Sequence, residues 1–136
     1  MTEPTVRMAL EKSQAASFVD KMPDGAETVI GERGVGLSGG QKQRITIARA
    51  LARKTPILVL DDSTSALDTE TEQEIQEVLN NLKGMTKIII GHRISSVRKA
   101  DKIIVLEGGK IAESGTHDEL VKAGGLYKET YDSQYN

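Results

Sequence analysis

Two short runs, Ile57–Leu60 and Ile88–Ile90, are apolar at every position rather than at every second one. A strand with one wet face alternates; a strand apolar throughout is expected where helices cover both faces of a parallel sheet. Helix-period stretches alternate with these runs along the chain, which predicts an α/β fold with a mostly parallel sheet covered by helices. The 136 residues leave room for one domain, and one Phe with no Trp makes its core aliphatic. A net charge of −2 excludes a strongly basic nucleic-acid binder. The absence of cysteine removes disulfides and thiolate metal sites. The apolar runs are too short to cross a bilayer, and "MTEPTVRMALEK" lacks the basic start and apolar run of a signal peptide, so a soluble, cytosol-type chain is expected.

Punctuation along the chain supports this plan. Residues 5–20 read as one helix with Met8, Ala15, Phe18 and Val19 on its apolar face, and "MPDG" at 22–25 as a turn. A glycine-rich stretch, "TVIGERGVGLSGG", opens a helix from about Gln41 to Arg53, and Pro56 precedes the first apolar strand. Thr69 and Glu72 have capping-box spacing before Ile75, Val78, Leu79 and Leu82, with Gly84 ending the helix. "RISSVRKA" reads as a short helix and Lys102–Leu106 as a third strand. Gly108-Gly109 then makes a hairpin turn into Lys110–Glu113. Thr116 and Glu119 repeat the capping spacing, and a last helix includes Tyr127 and Tyr131.

Four features carry chemistry. Gly34-x-Gly36-x-x-Gly39 fits a dinucleotide-binding fingerprint, but that motif must follow a strand directly, and here "TVI" is short and "GER" intervenes. The same glycines are better described as "LSGGQ", residues 37–41, at a helix start, where unsatisfied N–H groups and the dipole suit an anion. Gly39 and Gly40 would let a phosphate approach the backbone, and Ser38 adds a hydroxyl; the plain alternative is a loop with Ser38 as helix cap. Asp61 and Asp62 end an apolar strand, as does an acid that holds Mg²⁺ through its water shell; solvated turn acids are the alternative. His92 also follows an apolar strand, where a histidine without a ligand is the ordinary case. Arg44, Arg49, Arg53 and Lys54 on one helix read as a solvated basic face rather than a nucleic-acid patch.

In this order, "LSGGQKQRITIARAL", "ILVLDDSTSALD" and "IIIGHR" resemble the ATP-binding cassette (ABC) ATPases, P-loop NTPase-like domains, over nearly the whole chain from about Pro23. The resemblance implies that Leu37, Ser38, Gly39, Gly40 and Gln41 form the signature motif, and that Asp61 is the Walker B magnesium acid. Ser65 to Asp68 would be the D-loop, and His92 the switch histidine that senses γ-phosphate. "TVIGERG" at 28–34 is similar to the exporter X-loop that touches the membrane domain, and "GGKIAESGTHDEL" to the exporter C-terminal region. By the same resemblance, residues 1–53 are part of the helical subdomain and residues 54–136 the C-terminal part of the ATPase core.

The sequence departs from the family pattern twice. Asp62 stands where the family usually has a catalytic Glu, so the chain resembles the degenerate half of a heterodimeric exporter. No G-x-x-x-x-G-K-[ST] phosphate loop occurs in these residues. The resemblance therefore implies an ATPase that uses ATP and Mg²⁺ in the full-length parent and a chain that is inactive alone. The implied partners are a second nucleotide-binding subunit and the exporter's transmembrane domains, at the cytoplasmic face of the cell membrane. "LSGGQ" would complete the partner's ATP site. The isolated chain is expected to self-associate through its uncovered apolar strands. A naturally truncated, non-catalytic module that docks on a full ABC subunit is the alternative; an ABC ATPase of DNA repair is disfavoured by the exporter-like segments.

Overall fold

Glu3 and Pro4 open the first helix, α1 (Glu3–Lys12), where a missing N–H is harmless and a negative charge faces the dipole's positive end. The computed structural model describes residues 1–31, 36–61 and 67–136, so the predicted sites Asp62 and Ser65 and positions 32–34 of the X-loop-like segment lie outside the described residues. The described residues form two compact units, Met1–Ile88 and Ile89–Asn136.

In the first unit, the single helix expected over 5–20 is broken. Gln14 takes left-handed backbone at φ 58°, and α2 (Ala16–Val19) follows as a separate turn. Buried Ser13 sits at the break, its hydroxyl donating to Leu10 O at 3.2 Å. The "MPDG" turn closes as expected, with Gly25 N–H on Met22 O at 3.1 Å and Gly25 at φ 52°.

The helix that "LSGGQ" opens, α3, spans Gly39–Leu51, starting two residues before the sequence suggests because Ser38 caps it and draws both glycines into the first turn. Strand β1 (Ile57–Asp61) is hydrogen-bonded to β2 (Thr86–Ile90), with α4 (Thr69–Asn81) between them in sequence. Thr86 N–H donates to Pro56 O at 2.9 Å, so both strands begin at one end, as a parallel pair with a helical crossover requires. The cap of α4 differs from the expected one: Asp68, not Thr69, is the N-cap, accepting Thr71 N–H at 2.7 Å. A carboxylate one residue earlier is the stronger acceptor at the positive helix end.

Arg44 also departs from expectation. It leaves the solvated basic face to pair with Glu74, joining α3 to α4, and its side chain is mostly buried. The core of this unit uses Ile47, Leu51, Leu58, Leu60, Ile75, Val78 and Leu79. Cover on both strand faces does not materialise: Leu58 and Leu60 are buried, whereas Ile57 and Val59 stay 51% and 55% exposed. Ile75 is fully buried, so Ile75→Ala is expected to cost about 2–5 kcal/mol by cavity formation. A denaturant titration following α4 checks this through the midpoint.

The second unit holds α5 (Ile94–Val97), the antiparallel hairpin β3 (Ile103–Glu107) and β4 (Lys110–Gly115), then α6 (His117–Ala123) and α7 (Leu126–Tyr135). Gly108 and Gly109 have φ of 57° and 75°, as the tight hairpin turn predicted from their sequence demands. Thr116 caps α6, accepting Glu119 N–H at 3.3 Å, and Gly124 ends it in left-handed backbone. Ile94, Ile103, Leu120 and Tyr127 form the core. Burial raises the Tyr127 phenol above its ordinary range, and its OH is 2.8 Å from His117 Nδ1.

Candidate functional site

The N-terminus of α3 is built by a reciprocal capping box. Ser38 N–H donates to Gln41 Oε1 at 3.0 Å, and Gln41 N–H donates to Ser38 Oγ at 3.1 Å. The box occupies the amides of Ser38 and Gln41. Gly39 and Gly40, the first two helical residues, have no intrahelical acceptor for their N–H groups, and no described residue supplies one. The Ser38 hydroxyl, having accepted one bond, keeps its proton to donate. Two backbone amides and one hydroxyl thus stand at the positive end of a 13-residue helix. This donor set fits phosphoryl oxygen, not a metal.

Asp61 is the exposed last residue of β1. Among the described residues no group of three or more His, Cys, Asp or Glu is arranged to hold a metal. A single strand-end carboxylate suits Mg²⁺, which keeps water and phosphate oxygens as its other ligands. Asp68 sits at the start of α4, its carboxyl held below the ordinary range by the Thr71 backbone N–H and then by the Thr71 hydroxyl. The lowered value fixes the sign of the pH effect. The cap operates above the ordinary Asp range and is lost as pH falls through the folded value. Asp68→Ala, which removes the acceptor, is therefore expected to speed amide exchange in the first turn of α4 about fivefold at pH 7, the gap to wild type narrowing under acid conditions. Hydrogen exchange at two pH values measures it.

His92 lies two residues past β2, and a contact not legible in the sequence fixes its backbone. Gln134, 42 residues on in α7, donates from Nε2 to His92 O at 2.7 Å and accepts Ile94 N–H on Oε1 at 2.8 Å. Both amide atoms of one side chain thus grip the turn that presents the histidine. No local signal marks Gln134.

The first unit also carries an open cleft of about 450 Å³ along α1, which Glu3, Arg7, Leu10 and Asp20 help to line. Arg7 is paired there with Asp20 at 2.7 Å and with Glu11 at 2.9 Å. None of the sequence-predicted site residues among the described residues borders that cleft. Among the described residues no helix is long and apolar enough to cross a membrane.

Comparison with known proteins agrees with this fold. Residues 2–65 match the family described as ABC transporter. The chain is 53% identical over 128 residues to an uncharacterized ABC transporter ATP-binding protein of Bacillus subtilis (strain 168), covering 93% of this chain and 22% of that protein. It is 47% identical over 137 residues to an ATP-dependent lipid A-core flippase of Shewanella frigidimarina (strain NCIMB 400), covering 100% of this chain and 23% of that protein. Among solved structures, a bacterial Atm1-family ABC exporter with ATP bound superposes with a TM-score of 0.86 at 41% identity, over 99% of this chain and 24% of that one. The chain thus spans about a fifth of the length of the curated relatives it matches. With the α/β fold and the capped "LSGGQ" helix already in place, these matches identify the chain as a member of the ABC family that carries the C-terminal part of an exporter-type ATP-binding domain.

Proposed function

We propose that these residues serve an ATP-driven exporter in two ways: Leu37–Gln41 completes the ATP site of a second nucleotide-binding subunit, and Asp61, Asp62 and His92 serve the site on the subunit's own side. The observation that carries the first role is the pair of unbonded amides, Gly39 and Gly40, beside the Ser38 hydroxyl. They would donate to phosphoryl oxygens that arrive held by another subunit, and the capping box keeps them aimed. Asp61 would hold Mg²⁺ through its water shell, which neutralises charge on the phosphates when bound. Asp62 would orient the attacking water, and His92, its backbone gripped by Gln134, would report on the γ-phosphate. The transmembrane domains of the same exporter are the second partner, placing the assembly at the cytoplasmic face of the cell membrane.

Phosphoryl transfer depends on positioning and charge neutralisation, and a Walker A loop supplies much of both. The 136-residue sequence contains no such motif. The purified chain is therefore expected to leave Mg-ATP unhydrolysed. A phosphate-release assay tests this: turnover above buffer that Asp61→Ala abolishes would overturn the reading. In the full-length protein the same Asp61→Ala is expected to abolish turnover at the subunit's own site.

A further inference from the structure

The two glycines at the start of α3 are not there for their backbone freedom. Both are helical, and neither has the left-handed φ that glycine alone accepts readily. Glycine is also a poor helix former, so two in one first turn call for a reason in space. That space is filled from within the chain. A Cβ at Gly39 would lie 3.0 Å from Leu67 Cδ2, and one at Gly40 would overlap Thr71 Cγ2. Gly40 and Leu67 are both buried.

Thr71 cannot easily turn aside. It is β-branched and sits in the first turn of α4, where few χ1 rotamers are open. Both its N–H and its hydroxyl are bonded to the Asp68 carboxylate, which directs the remaining methyl at Gly40. Other Thr71 atoms keep ordinary contact with that Cβ position, the side-chain Cβ at 3.7 Å and Oγ1 at 3.9 Å. Arg44 and Glu74 join the same two helices one turn further on.

We propose that Thr71, oriented by Asp68 and flanked by Leu67, is a positioning residue for the signature helix: its methyl seats in the Gly40 notch and sets where the Gly39 and Gly40 amides stand. The proposal rests on the reading that those amides serve the partner's ATP. It makes the stretch that ends the D-loop and the signature motif one mechanical piece. A displacement of Leu67–Thr71 is then carried into the phosphate-binding amides by steric contact alone. Amides misplaced by about 1 Å cost on the order of 100-fold in rate.

The test is a double-mutant cycle in the assembled full-length exporter, read by ATP turnover per folded dimer. Gly40→Ala is expected to lower kcat about 100-fold, and Thr71→Ser alone, which takes the seated methyl away, to lower it about tenfold; an unchanged rate in Thr71→Ser would overturn the positioning role. Serine keeps the hydroxyl and lacks only the colliding methyl, so Gly40→Ala with Thr71→Ser is expected to regain at least about tenfold over Gly40→Ala. Should Gly40→Ala fail to fold, recovery of folded protein by adding Thr71→Ser supports the notch, and no recovery overturns it. A folded double variant with no regained turnover overturns the positioning role and leaves the ATP reading intact, because the glycine would then be needed at the ligand itself. Unchanged turnover in Gly40→Ala alone would overturn both.

Discussion

Asp62→Glu is expected to raise Mg-ATP turnover at this subunit's own site by on the order of 100-fold, in a full-length assembly whose partner has lost its own catalytic Glu. Side-chain reach decides the effect. In the resemblance to ABC ATPases, the residue after the Walker B acid orients or deprotonates the attacking water, and the family usually places Glu there. An Asp side chain is one methylene shorter than Glu and would hold its carboxylate roughly 1–1.5 Å further back, a misplacement large enough to slow a positioned reaction severely. The substitution restores the length without changing the charge. Removing the partner's Glu matters because its faster site would otherwise hide the gain. If turnover does not rise in that background, Asp62 is not what slows the site, and the degenerate-half reading falls with it.

Local chemistry was legible in the sequence wherever neighbours in the chain decide it. The Gly108-Gly109 turn and the Thr116 cap depend on a few adjacent residues, and both stand as predicted. The strands at Ile57 and Thr86 likewise follow from uninterrupted apolar runs bounded by Pro56 and Gly84. Errors arose where two adjacent groups compete, or where the partner is distant. Asp68 displaces Thr69 as cap of α4 because a carboxylate outcompetes a hydroxyl, a choice the capping-box spacing conceals. Arg44 reads as a surface cation until Glu74, thirty residues on, is placed beside it. Gln134 reaches back 42 residues to the His92 turn, and the sequence gives no sign of it. The glycines of "LSGGQ" stand at a helix start, as their sequence predicts, but spacing alone cannot reveal that Leu67 and Thr71 occupy their open side.

The isolated chain is expected to form dimers or larger species at tens of micromolar, dissociating on dilution. Apolar burial provides the drive. Ile57, Val59 and Ile88 lie on the uncovered side of β1 and β2, each about half exposed, while Leu58 and Leu60 fill the covered side. Two strands make a marginal sheet by themselves, and a two-stranded sheet leaves an outer edge on each strand with free N–H and C=O groups. The β3–β4 hairpin adds exposed Ile104, Leu106 and Ile111. Apolar faces of this kind seek cover, and a second copy offers the same face in return. The exposed strand residues do not include Gly39 or Gly40, so ATP is not expected to alter the association. Val59→Lys separates the causes: it charges the exposed face and leaves the buried side of β1 untouched. Losing the burial of one such side chain, about 1.5–3 kcal/mol, should weaken dimerisation by about tenfold or more. Sedimentation velocity over a dilution series, with and without Val59→Lys, reads the result. A cooperatively melting monomer at every concentration would sink the idea, since these apolar faces would then be covered by contacts within one chain.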